Sequence, residues 1–257
     1  MHDVAALERV LLALPDIGLR VDWVRSELAS LEVDAAAALL NGLCEAAERG
    51  EPRAREALLA VAIFFAGLGE CELVEHLREQ ACGRRLLSLD RLLRRPVSLS
   101  PSQRPALQPP VPDYGAGREL TLGERRSLAR RPNRRVFEKL SSDPHPLVVR
   151  QLLENPRLTE DDVVRMAARR PARAELLHEI ARFPRWLTRN RVRMTLLFNP
   201  GTPLCIGMPL LAVCTRTELL EILDSADTAP VLRATAHELI ERRPPLREPE
   251  IPTDRMN

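Results

Sequence analysis

Apolar residues return every three or four positions through most of this chain, and that spacing predicts helices. In "DVAALERVLLALP" the stripe i, i+3, i+4 lays one face of a helix against a core. The same rhythm continues through "DWVRSELASL", "VDAAAALLNGLCEAAERG", "PRAREALLAVAIFFAGLG", "ECELVEHLREQACG" and "RLLSLDRLLRR", which fill residues 1–95. Gly50, Gly67 and Gly69 are expected helix stops, and Pro52 suits a first helical turn. Nowhere does a period of two persist long enough to propose a strand. The expected class is all-α.

Two stretches break the rhythm. Residues 96–117, "PVSLSPSQRPALQPPVPDYGAG", combine six prolines with Ser, Gln and Gly and read as a linker. The tail 244–257 has similar composition. Between them, 118–243 repeats itself. "LTLGERRSLARRPNRRVFEKL" (120–140) aligns with "LTEDDVVRMAARRPARAELLHEI" (158–180), and "SDPHPLVVRQLLENP" (142–156) with "RFPRWLTRNRVRMTLLFNP" (182–200). A worn third copy runs over 216–244, so the unit is about 39–44 residues, a period typical of stacked helical repeats. Thr121, Thr159 and Thr202 are placed to cap the helices that follow them, and Glu160, Asp161 and Asp162 suit the positive end of a helix dipole. Pro132, Pro156, Pro171 and Pro200 close the preceding helices. Apolar faces such as Leu152/Leu153 and Leu196/Leu197 need a neighbouring unit to cover them.

The text "DPHPLVVRQLLENP" and "RVRMTLLFNPGTP" resembles the leucine-rich-variant repeats and, more broadly, HEAT-like helical solenoids. The matching positions are Asp143, Pro144, Val149 and Arg150, then Asn199, Pro200, Thr202 and Pro203, within roughly 120–243. The resemblance implies an α-solenoid, preceded by a more generic α-helical N-terminal domain (1–95), acting as a non-enzymatic binding scaffold. Some members of that family carry an iron–sulfur cluster on N-terminal cysteines. This chain lacks clustered cysteines, so no cofactor is carried over.

Charge adds a second distinction between the halves. Residues 1–95 hold 16 acidic and 12 basic side chains, whereas 118–243 carry about +7, in a chain whose formal net charge is +2. All 38 basic residues but Lys139 are arginine, a skew that compositional bias alone can produce. Arg125, Arg126, Arg130, Arg131, Arg134 and Arg135 crowd one stretch; Arg134 and Arg135 open a helix, where a cation opposes the dipole. Either these are solvated faces or they meet an acidic partner. Arg150, Arg193 and Arg233 hold related places in the units and suit either a ladder to neighbouring carboxylates or carbonyls, with Asp143 and Asp227 near in sequence, or a groove that grips an acidic peptide or phosphate.

Catalytic signals are sparse. The five cysteines have no C-x-x-C spacing and read as buried structural thiols; His2, His76, His145, His178 and His237 fall in different elements. Phosphate-loop, dinucleotide and zinc-protease motifs are missing. Aromatics make up 3% of residues, too few for base-stacking platforms, and Trp186 is expected in the packing between repeats. The apolar run 57–69 is too short to span a bilayer and the N-terminus lacks a basic start, so a cytoplasmic chain with no membrane insertion is expected. The reading is an interaction scaffold for another protein, with nucleic-acid binding along the arginine-rich half as the alternative. Candidate contact residues are Arg126, Arg130, Arg131, Arg134, Arg135, Arg150 and Arg193.

Overall fold

The computed structural model describes residues 3–95, 110–130, 134–171 and 173–243, and among them there are sixteen helices and no strand. The first set is α1 (Val4–Ala13), α2 (Ile17–Ser30), α3 (Val33–Glu48), α4 (Pro52–Leu68), α5 (Glu72–Gly83) and α6 (Leu87–Leu93). The second is α7 (Leu122–Arg130), α8 (Arg134–Leu140), α9 (Pro146–Leu153), α10 (Glu160–Ala167), α11 (Ala174–Ala181), α12 (Pro184–Leu187), α13 (Asn190–Phe198), α14 (Leu204–Ala212), α15 (Arg216–Asp224) and α16 (Pro230–Arg242).

α4 organises the molecule. Its apolar run is wrapped on several sides, with Ala57, Ala60, Val61 and Ile63 at 1% exposure or less. It packs against α1, α2 and α3 of its own set and against α11, α12 and α14 of the other. Helix α6 also meets α14. The buried apolar residues of both sets form one contiguous cluster. The expected boundary between 1–95 and 118–243 therefore marks a change in helix length and chemistry, not a gap between two cores. No described helix is long and apolar enough to cross a membrane.

Glycines permit the closest approaches. Gly67 sits in the last turn of α4 instead of ending it, and a Cβ there would stand 3.1 Å from the Ala181 carbonyl oxygen. Gly69, with φ +72°, is the residue that stops the helix. Gly50, φ 87°, follows α3 as the sequence suggests.

In the second set, α7, α9 and α11 pack in succession and lead onto α4, while α10, α13 and α15 form a parallel succession. The Asn-Pro turns are the joints. Asn155 donates from Nδ2 to the Ala129 carbonyl at 3.0 Å, and its Oδ1 accepts from Arg157 N–H at 3.0 Å. Asn199 repeats both contacts, to Ala167 O at 2.6 Å and from Gly201 N–H at 3.0 Å. One side chain thus shapes its own turn and closes the carboxyl end of a neighbouring helix. The asparagine carries the joint, and the proline after it stops the chain from continuing as helix.

The threonine caps divide. Thr159 forms a reciprocal capping box with Asp162, and Thr121 exchanges similar bonds with Glu124. Thr202 does not cap α14; its hydroxyl turns back to the Leu196 carbonyl at 2.6 Å. Thr215, absent from the expected set, boxes with Glu218. Of the expected linker, 96–109 lie outside the described residues, as does the tail 244–257. Residues 110–117 are non-helical but anchored, because Tyr114 donates its hydroxyl to Asp143 at 2.6 Å.

Candidate functional site

Three arginines of the cluster, Arg125, Arg130 and Arg134, are engaged within the fold. Arg125 is buried and grips both carboxylate oxygens of Asp143 at 2.7 Å. Burial, reinforced by the bond to Asp143, pushes the Tyr114 hydroxyl well above the usual phenol range. Arg126 is half-buried, with its Nε enclosed and unbonded. Arg130 is exposed and holds Gln151 at 2.9 Å. Arg134 meets Asp162 through two bonds of 2.5 Å, so the cation that opposes its own helix dipole is used at the amino end of α10, two helices along. Arg131 lies outside the described residues, and Arg135 is described only as part of α8.

The expected ladder takes different rungs. Arg150 pairs bidentately with Glu179 at 2.7 and 2.8 Å, while Asp143 belongs to Arg125 and Asp227 to Arg170. Arg193 meets no carboxylate; it donates to the Leu187 and Thr188 carbonyls at 2.8 and 2.9 Å. Arg233 keeps a buried Nε without an acceptor. Asp162 shows the balance: burial alone would raise its carboxyl, but Arg134, Thr159 and Arg165 outweigh it and hold it well below the carboxylate range.

Arg193 belongs to a wider pattern that the sequence did not display. Arg20 donates to Leu14 O, Arg78 to Leu93 O, Arg169 to Ser141 O, Arg170 to Phe198 O, Arg185 to Leu153 O and Arg216 to Ile240 O. Each acceptor lies at or just past a helix carboxyl end, where the dipole is negative and carbonyls lack partners. A guanidinium, charged at all working pH and presenting five donors, suits this task better than an ammonium. The arginine excess over lysine thus has a structural use. Trp186 joins in, donating Nε1 to the same Leu153 carbonyl while Arg185 lies 4.5 Å over its ring.

A concavity lies away from these arginines. A groove of about 560 Å³ runs between α2, α4 and the α11–α12 corner. Val21, Ile63 and Phe64 form its apolar floor, Gly67 lets the corner approach, and Leu68, 36% exposed, stands at one end. Asp22, Arg25 and Arg182 supply a charged rim. Arg25 is bonded to Asp22 at 2.6 Å and Arg182 to Glu179 at 3.1 Å, so the rim is mixed in sign. The sequence signal was Gly67 inside an apolar helix, which marks close approach as readily as termination.

Among the described residues Cys205 Sγ lies 3.9 Å from His178 Nε2. Its electrostatics run against a reactive thiolate. Burial pushes the Cys205 thiol up to about 11, and burial together with Arg182 pulls the His178 imidazolium down. Of the thiols, Cys44 and Cys214 are buried as expected, but Cys82 is exposed. Among the described residues no group of three or more His, Cys, Asp or Glu side chains is placed to hold a metal. No family model, curated protein or solved structure matches the chain.

Proposed function

We propose that the chain is a non-enzymatic interaction scaffold, a HEAT-like or leucine-rich-variant solenoid over 118–243 fused to the preceding helices, and that it binds a protein of mixed surface. The observation that carries this is the junction groove, with an apolar floor, a rim of both charges and an exposed Leu68. A groove of mixed polar and apolar lining, with charges of both signs, suits a protein surface better than a phosphate backbone, which needs a continuous row of free cations. The arginine-rich half supports nucleic-acid binding less well, since Arg125, Arg134, Arg150 and Arg193 are bonded within the chain.

The test sets two surfaces against each other. Leu68→Asp with Arg182→Glu should abolish crosslinking to the partner while leaving the circular-dichroism melt in place. Arg130→Glu with Arg131→Glu should leave crosslinking intact. Loss of capture in the second variant alone would move the site to the arginine cluster and overturn the groove reading.

A further inference from the structure

A smaller cavity, of about 170 Å³, opens between α8 and α10 and shares no lining residue with the groove. Phe137 and Leu158, both buried, give it an apolar floor. Glu138 and Ser141 stand on the α8 side. Arg165 and Arg169, four residues apart, stand on the α10 side.

The charges around this cavity do not balance pair by pair. Asp162 accepts twice from Arg134, twice from its capping partner Thr159 and once from Arg165 at 2.5 Å. One carboxylate therefore answers two guanidinium groups. Arg169 donates to the Ser141 carbonyl and, at 2.8 Å, to the Ser141 hydroxyl, and no carboxylate among the described residues meets it. Opposite, the exposed Glu138 carboxylate takes no hydrogen bond and no ion pair among the described residues. Cations are in excess on one wall and a carboxylate is unanswered on the other. The two do not close on each other across the void.

We propose that this cavity binds a small zwitterion of the α-amino-acid type, with its carboxylate on Arg165 and Arg169, its ammonium on Glu138 and its side chain over Phe137 and Leu158. A guanidinium fork matches a carboxylate, and an ammonium, which has three donors and no acceptor, requires an acceptor such as Glu138. One water needs only about 10–15 Å³ of such space, so the cavity admits an organic molecule rather than a lone ion. A bare inorganic anion would leave the apolar floor uncovered and be repelled by Glu138. A few convergent polar groups above an apolar floor are what orient a small ligand.

The test melts the full chain at constant ionic strength with each of the twenty standard L-amino acids, and titration calorimetry follows the one with the largest effect. At least one should raise the melting temperature saturably. Its amide, which lacks the carboxylate, and its N-acetyl derivative, which lacks the ammonium, should not. Arg169→Gln and Glu138→Gln should each weaken the affinity by about tenfold or more, as expected when a hydrogen bond to a charged group is lost. Arg169→Gln also frees the Ser141 carbonyl, so the more exposed Arg165→Gln carries the test if that variant fails to fold. Four results would overturn the proposal: no saturable gain with any amino acid, an N-acetyl derivative that binds as well as its parent, an affinity unchanged by Glu138→Gln, or an equal gain from inorganic phosphate.

Discussion

The two helical sets solve one packing problem by different means. α2, α3 and α4 run 14, 16 and 17 residues, whereas α9, α10 and α11 have 8 each. Every helix leaves four carbonyls and four N–H groups without partners in its own turns, whatever its length. An eight-residue helix therefore leaves a far larger share of its backbone to be satisfied from outside. The long helices meet the demand with apolar burial and a few caps; in their set, arginines cross carboxyl ends at the shorter α1 and α6, through Arg20 and Arg78. The short set meets it with Asn155 and Asn199, capping boxes and arginines laid across carboxyl ends. Short repeated helices carry a polar joinery that long helices can omit.

Buried ion pairs put that contrast to its hardest test. Asp143→Ala leaves Arg125 enclosed without its carboxylate and should cost about 3–5 kcal/mol in denaturant unfolding, the range for breaking a buried pair. Glu48→Ala, which strands Arg91 in the long set, should cost a similar amount. If the first change proves mild and the second severe, the polar joinery of the short set is dispensable.

The joints come next. Asn155→Ala and Asn199→Ala each free a helix-end carbonyl, as does Arg193→Ala, and each should cost about 1–3 kcal/mol by the same measurement. Values near zero for both asparagines would mean that the joints are ornaments of the turn. Arg150→Ala should fall below this range, because Arg150 is 38% exposed and Glu179 keeps Arg182.

Acid should loosen the short set through Asp162. Its folded carboxyl is held below the unfolded value of about 3.9, so its contribution is present above that pH and is lost as pH falls towards the folded value. Asp162→Asn should flatten the dependence of stability on pH below about 4; an unchanged profile would assign acid sensitivity to other carboxylates. The smallest effect is expected at the seam. Arg94 bonds Glu238 and Thr235 across the two sets but is partly exposed, so Arg94→Ala should cost no more than about 1 kcal/mol.

The one-dimensional text carried most of what local geometry sets, though it placed a cap at Thr202 and missed the one at Thr215. Helical periodicity, Pro52 at a first turn, the Thr159 cap and the apolar faces at Leu152/Leu153 and Leu196/Leu197 follow from 3.6 residues per turn and from which side chains satisfy free N–H groups. Even the cost of a cation at Arg134 was legible, since the dipole that it opposes belongs to its own helix. What it could not carry is who stands opposite. Arg150 meets Glu179 and not Asp143, and Gly67 faces Ala181. Those pairings depend on where helices far apart in the chain come to lie, and many chemically equivalent partners compete along a sequence with 37 arginines and 36 carboxylates. Only the packing of α4 against α11, α12 and α14 decides which arginines remain on the surface and where the groove opens.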